Sequence, residues 1–295
     1  VGDIAGGLPA VVCARPHHDV HRRDVDAVQF GLVPGRAFEV AGLSGPLRRW
    51  LLELHGAWPT DRLLSRAAEL GADRELARAV LVELYSSGVL VDARRPARVA
   101  EARGTGRVAL FGAGPLLDLV AGGLTEAGVG AVRTYAHGEA PRSGARPDLI
   151  VLTDLVNPSA EPHRAWLAAG VPLLPARLMD GAGLVGPLVL LGRSACLRCL
   201  ELHRADHDEC WGTVSAGLTG RIGRADPACA LGTAALTTAQ ALRVLDAMVD
   251  PDDSATPGPP VLDAMLEFRL ELGELHRHPC PPHPGCDCGA GRRGA

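Results

Sequence analysis

The sequence contains no lysine; its 30 lysine-plus-arginine positions are all arginine. That absence removes every chemistry that needs an ammonium, including Schiff-base formation and the phosphate-gripping lysine of a P-loop. Aromatic residues are scarce, 3% of 295 residues, so leucine, valine and alanine must fill the interior. The 47% hydrophobic content is ample for that. The length suggests two domains, since single cores rarely grow past about 250–300 residues. A basic balance is also missing: the formal net charge is -4, which gives no electrostatic footprint for nucleic acid. The most apolar stretch, residues 228–245, is broken by Gly232, Thr233, Thr237, Thr238, Gln240 and Arg243. It reads as a buried or amphipathic helix, and no membrane partner is expected. The opening residues Val1 to Gly7 lack a basic segment followed by an apolar one. The expectation is a cytoplasmic protein with reduced thiols, in which clustered cysteines read as metal ligands.

Residues 1–12 are glycine-rich and read as a loose terminus. Short strands are predicted at Arg15–Val20, Ala27–Leu32 and Ala37–Val40, separated by turn signals at Arg23-Asp24 and Pro34-Gly35. Three helices follow. Ser44 caps the first, with Leu47, Trp50, Leu51 and Leu54 on one face. Thr60 caps the second, with Leu63, Leu64, Ala67 and Leu70 inward. Asp73 caps the third, with Leu76, Val80, Leu81 and Leu84 inward. Gly88 ends it, and Val89–Val91 is a strand. Small strands, three helices and a final strand describe a winged-helix-like module over residues 12–95. A DNA-reading helix should be basic, but Arg74 and Arg78 alternate with Glu75 and Glu83.

Asp92 to Gly106 reads as a linker, after which the pattern changes. A strand at Arg107–Phe111 leads through Gly112-Ala113-Gly114 into a helix from Pro115 to Ala127. Further strands are predicted at Ala131–Tyr135, Leu149–Leu152, Val171–Leu174, Leu184–Leu190 and Leu266–Leu272, with Asp250 to Pro260 a surface loop. Strands alternating with helices predict an α/β domain over residues 106–295, built on a doubly wound parallel sheet.

Cys196-Leu197-Arg198-Cys199 is a CxxC and Cys286-Asp287-Cys288 a CxC. Four thiolates satisfy tetrahedral zinc with no open position, the signature of a structural site. A redox CxxC with an unrelated tail is the alternative, and Cys280 or His283 could replace one ligand. Cys13 and Cys229 read as ordinary small residues.

The glycine loop starts a GxGxxG pattern, but Leu117 stands at the third glycine. The second strand also lacks the acidic residue that would hold a ribose, Glu139 arriving too late. Binding of NAD or FAD is therefore not expected.

Three stretches carry a family resemblance: Gly186-Pro187-Leu188-Val189, the run from Cys196 to Asp206, and the ending from Pro281 to Ala290. Together they resemble the ocin-ThiF-like leader-peptide-binding proteins of thiazole/oxazole-modified microcin and thiopeptide pathways, on a ThiF/MoeB-type activating-enzyme fold. The resemblance implies a winged-helix-like peptide recognition element in front, and a separate YcaO protein that performs ATP-dependent cyclodehydration. The leader would add as a strand beside Ala37–Val40, near Arg36, Phe38 and Val40, with its apolar side chains against Leu76, Ala79, Val80 and Glu83 of the third helix. Adenylating members of the wider fold use an acid on the second strand, then Arg and Lys, around ATP. This chain lacks the acid and the lysine, so Gly112, Gly114 and Asp154 read as a vestigial nucleotide site and ATP is not expected to bind. The expected cofactor is structural zinc, the expected partners are the leader and the YcaO protein, and relatives of this fold commonly form homodimers. An active ATP-dependent adenylating enzyme is the rival reading.

Two further groups draw notice. His203 and His207 would share a helix face beside Asp206, Asp208 and Glu209, as a second metal site or as a polar stretch leaving the zinc knuckle. Cys210 sits where active relatives often place a working cysteine, but its acidic neighbours would oppose thiolate formation.

Overall fold

The computed structural model describes residues 7–15, 18–139, 146–248 and 258–293. The loose-terminus reading lies outside these through residue 6, the Asp250 loop through residue 257, and the Arg15–Val20 strand at positions 16–17. The described chain divides into two compact units, one up to residue 99 and one from residue 100.

The first unit contains β1 (Val11–Ala14), β2 (Val20–Arg22), β3 (Val28–Phe30), β4 (Phe38–Val40), α1 (Gly45–Leu52), β5 (Ala57–Pro59), α2 (Thr60–Glu69), α3 (Arg74–Ser86) and β6 (Leu90–Asp92). Its strands form two antiparallel sheets, ordered β5-β1-β6 and β2-β3-β4. Ser44 caps α1 through the Leu47 N–H, and Asp73 caps α3 through the Leu76 N–H at 2.8 Å. Gly88, at φ +69, follows α3 where only glycine turns left-handed without strain. The core is centred on Trp50, whose Nε1 donates to the Leu63 carbonyl at 2.9 Å. Thr60 is not a cap: Pro59 takes that position, and the Thr60 hydroxyl donates to the Pro9 carbonyl instead. The inner face of α3 is Ala77, Leu81 and Leu84. Leu76 points outward, 50% exposed, because the buried face starts one residue later than predicted.

The segment from Asp92 to Gly106 is not a linker. Residues Arg95–Thr105 form α4, built of Ala, Arg and Glu with Pro96 in its first turn, all compatible with helix. Within the second unit Arg103 grips Asp246 through two hydrogen bonds, at 2.6 and 2.8 Å.

The second unit then runs β7 (Arg107–Phe111), α5 (Pro115–Glu126), β8 (Ala131–Tyr135), β9 (Leu149–Thr153), α6 (Arg164–Ala168), β10 (Leu173–Met179), β11 (Ala182–Val185), α7 (Leu197–His207), α8 (Trp211–Gly217), α9 (Pro227–Ala247), β12 (Ala264–Arg269) and β13 (Glu274–Pro279). Its seven-stranded sheet has the order β13-β12-β11-β10-β9-β7-β8. The four strands β8, β7, β9 and β10 are parallel, as predicted, but β11, β12 and β13 pair antiparallel. The sheet is therefore mixed. Leu184–Leu190 is not one strand: β11 ends at Val185, where Gly186 takes a left-handed φ of +97.

Strand alternation splits the core between two faces. Val108, Leu110, Leu149, Val151, Leu174 and Leu178 meet α5 and α9 on one side. Ala109, Phe111, Ile150, Leu152 and Leu173 meet Leu167, Leu197 and Cys199 on the other. By length and composition α9 could cross a membrane, but it lies on the sheet with Thr233, Thr237 and Gln240 buried. Arg177 on β10 is 1% exposed; among the described residues its Nε and Nη1 find no partner, and its Nη2 lies 3.4 Å from the Met265 sulfur.

Candidate functional site: a four-cysteine centre beside a filled glycine loop

The four cysteines of the CxxC and CxC pairs come together. Cys196 stands at the N-cap of α7 and Cys199 in its first turn, while Cys286 and Cys288 arrive on the turn after β13. Their sulfurs all lie within 4.8 Å of one another, with separations of 3.7 Å (Cys196–Cys199), 3.6 Å (Cys196–Cys286) and 3.6 Å (Cys199–Cys288). No disulfide joins them. Zinc–sulfur bonds of about 2.3 Å in a tetrahedron place the sulfurs about 3.8 Å apart. The cluster thus has the dimensions of a four-thiolate metal centre with no position left for a substrate. Burial pushes the Cys196 thiol up and that of Cys286 to about 11. Burial opposes ionisation of Cys199 too, but backbone N–H groups at His283 and Cys196 bring its thiol below the ordinary value. Packed thiols this close cannot all ionise without a cation among them. Neither Cys280 nor His283 joins the ligand set: the Cys280 thiol donates to the His278 carbonyl at 3.5 Å, and the His283 Nε2 sits 2.8 Å from Asp206.

The glycine loop between β7 and α5 meets Asp154 at the end of β9. Asp154 is fully buried and left-handed, at φ +72. Its Oδ1 accepts the Leu116 N–H at 3.0 Å, in the first turn of α5, and its Oδ2 accepts the Thr153 hydroxyl at 2.7 Å. A Cβ built on Gly112 would lie 2.7 Å from Asp154 Oδ2, and one on Gly114 would lie 2.5 Å from Oδ1. The glycines make room for a carboxylate of the chain itself. A helix N-terminus attracts an anion, and here Asp154 is that anion.

Around this loop the parallel order of β8, β7 and β9 gathers side chains that the sequence never places together. Phe111 stacks on Tyr135 at 5.0 Å and lies 4.2 Å from His163, and His163 stacks on Trp166 at 6.3 Å. Burial, then the neighbouring His137, pushes the His163 imidazole down to about 4. Burial also lowers His137, whose Nε2 finds no partner among the described residues. Glu139 accepts the Ala136 N–H at 3.0 Å within its own turn and does not reach the loop as a ribose acid would. Adjacency of strand ends, set by topology, is the signal that sequence reading missed.

A cleft of about 610 Å³ opens beside the cysteine centre, with Leu167, Val189 and Leu197 among its apolar walls and Arg164 and Arg198 at its rim. One wall is held by Glu201, which accepts from Trp211 Nε1 and from the Ser215 hydroxyl, each at 2.9 Å. Cys210 is exposed, and its N–H donates to Asp208 at 2.9 Å. His207 turns to the His203 carbonyl of its own helix, whereas His203, Asp206 and His283 converge.

In the first unit β4 is an outer strand, with Phe38 and Val40 half-buried and Glu39 exposed. Arg36 is exposed and lines a separate cavity of about 290 Å³ with His18, Asp19 and His21. On α3, Leu76, Ala79 and Glu83 are exposed and Val80 half-buried, spaced as one helical stripe.

No family model matches this sequence, and no curated protein matches it. Solved structures match the fold. A heterocyclase in complex with substrate and cofactor superposes with a TM-score of 0.69 at 15% identity, over 95% of this chain and 40% of that one. The heterocyclase TruD gives 0.68 at 19% identity, over 96% and 43%. MccB of E. coli with ATP gives 0.65 at 12% identity, over 94% and 99%. This chain thus spans about two fifths of the heterocyclase chains and nearly the whole of MccB. Another matching MccB structure holds N-formylated MccA. Identities this low establish a shared fold, that of the heterocyclases and MccB.

Proposed function

We propose that this chain binds the leader peptide of a ribosomally made precursor and presents it to a separate YcaO cyclodehydratase, which forms the azoline rings. The observation that carries the reading is that β4 is the outer strand of its sheet among the described residues, in a unit whose α3 exposes Leu76 and Ala79. An extended leader would pair with β4, near Arg36, Phe38 and Val40. Its apolar side chains would meet Leu76, Ala79, Val80 and the stem of Glu83. Main-chain hydrogen bonds supply affinity and side-chain pockets supply selectivity. Ordering a flexible leader costs free energy, so affinity should fall on the order of micromolar to tens of nanomolar. Tethering then raises the concentration of core Cys, Ser and Thr residues at the partner's site.

In the same reading, residues 12–95 are a winged-helix-like recognition element and residues 106–295 a scaffold. Zinc held by Cys196, Cys199, Cys286 and Cys288 would tie the tail to α7 and contribute folding energy alone. Asp154, seated among Gly112 and Gly114, supports a nucleotide site that has lost its use. No nucleic acid or membrane partner is proposed, and a homodimer would follow the pairing common among relatives of this fold.

Fluorescence anisotropy with labelled leader peptides tests the proposal. Val40→Pro in the full chain should abolish binding while zinc content stays unchanged. Unaltered binding by that variant would remove β4 from the interface. The rival reading, an ATP-dependent adenylating enzyme, is favoured by the MccB likeness, since that protein carries ATP. Pyrophosphate exchange separates the two: the chain alone should show none, and robust exchange would establish the rival.

A further inference from the structure

The turn that delivers Cys286 and Cys288 is fastened by groups that are not ligands. His283 is 8% exposed. Its Nδ1 accepts the Gly285 N–H at 3.0 Å, so its Nε2 carries the proton and donates to Asp206 Oδ2 at 2.8 Å. The Cys286 N–H returns to the His283 carbonyl at 3.0 Å. Gly285 passes close to the His283 ring: a Cβ there would lie 3.2 Å from it. His203, one turn before Asp206 on α7, meets the His283 ring edge-on at 4.7 Å, and its Nε2 lies 3.0 Å from the Pro281 carbonyl oxygen. Helix α7 therefore holds the segment entering the turn, at Pro281 and at His283, and the same helix carries Cys196 and Cys199.

Two histidines and a carboxylate could also be read as a second metal site. The spacing argues against that. Ligands at about 2.0–2.2 Å in a tetrahedral site stand about 3.3–3.5 Å apart. The 2.8 Å contact between His283 and Asp206 is a hydrogen bond, and both His283 nitrogens are already engaged.

We infer that Asp206, His283 and His203 form a latch that positions Cys286 and Cys288 against α7 and so governs how readily the centre gives up its metal. The inference rests on the reading of the four cysteines as a metal centre. Groups that orient metal ligands from outside typically change metal affinity about 10–100-fold when lost. They do so without changing the ligands themselves.

The test uses the full, zinc-loaded chain, its metal content, and the rate of zinc transfer to a chromophoric chelator. Wild type should hold one zinc per chain. Asp206→Ala should release it about tenfold faster or more, while its cobalt-loaded form keeps the absorption of four thiolates. Asp206→Asn, whose amide oxygen can still accept from His283, should stay close to wild type. His203→Ala, which leaves the His283–Asp206 bond intact, should speed release by a smaller factor and serves as a second cut if Asp206→Ala does not fold. His207→Ala should change nothing. Release from both cut variants within about twofold of wild type would overturn the latch while leaving the metal centre standing. Two zinc ions in wild type, falling to one in His203→Ala, would overturn it in favour of a second metal site. Wild type without any zinc would overturn the metal reading, and the latch with it.

Discussion

The second unit holds two centres on one sheet, and they differ in how side chains meet the backbone that frames them. At the cysteine centre every group needed for a tetrahedral cation is present, and the fold brings all four to bonding dimensions from two ends of a long stretch of chain. At the glycine loop the backbone has the shape of an anion seat, but a carboxylate of the chain occupies it and no lysine exists to face a phosphate. At the first the side chains converge around space for a cation; at the second one side chain fills the seat itself. A fold likeness to an ATP-carrying protein is therefore a weak guide to activity, because it reports the shape alone.

The largest expected effect lies at the cysteine centre. Chelation of the metal, or Cys196→Ser, should destabilise the second unit by several kcal/mol, lowering its Tm by about 10 °C or more in scanning calorimetry. The transition of the first unit should stay put. An unchanged second transition would reduce the cysteine cluster to ordinary packing and erase the contrast.

Next in size is His163 beside the glycine loop. Its folded value of about 4 lies below the ordinary 6.5, so protons bind the unfolded chain first. Its contribution to stability is complete above pH 6.5 and is lost as pH falls toward 4, by at most about 3 kcal/mol. Denaturation midpoints at several pH values would show this slope, and His163→Phe should flatten it.

Asp154→Ala should cost about 2 kcal/mol, since the Leu116 N–H loses its buried acceptor and the Thr153 hydroxyl is left with the Phe111 carbonyl at 3.3 Å. Calorimetric titration of that variant with Mg-ATP should still show no tight binding. Tight binding would mean that the carboxylate was the sole obstacle, and the two centres would differ by one residue. The smallest effect is expected at Arg177, whose buried guanidinium burial holds down at about 10. Arg177→Met should leave stability unchanged or raise it by about 1 kcal/mol, since no ion pair is lost.

Much of this was legible where a local rule governs. Ser44 and Asp73 announced their helices, and the two cysteine pairs announced a cluster because thiols in reduced chains gather for few other reasons. Strands β7, β8 and β9 were legible from short apolar runs. What escaped reading depended on distant partners. Helix α4 lies within an arginine-rich run of linker-like composition, and the periodicity of α3 points Leu76 inward, one residue out of phase with the buried Ala77. β13 is exposed along its whole length and so carries no hydrophobic pattern. The role of Asp154 required knowing that the end of β9 lies against the start of α5, which no spacing encodes.

The wide sequence gap within the cysteine centre has a consequence for how the molecule is made. Cys196 leaves the ribosome 90 residues before Cys286. At about 5–20 residues per second, the first thiol pair waits roughly 5–20 seconds for its counterpart. During that interval a nascent chain offers two bare thiols to oxidants and to competing ions, so the yield of correctly assembled molecules should depend on the redox state and the zinc supply of the cell that translates it.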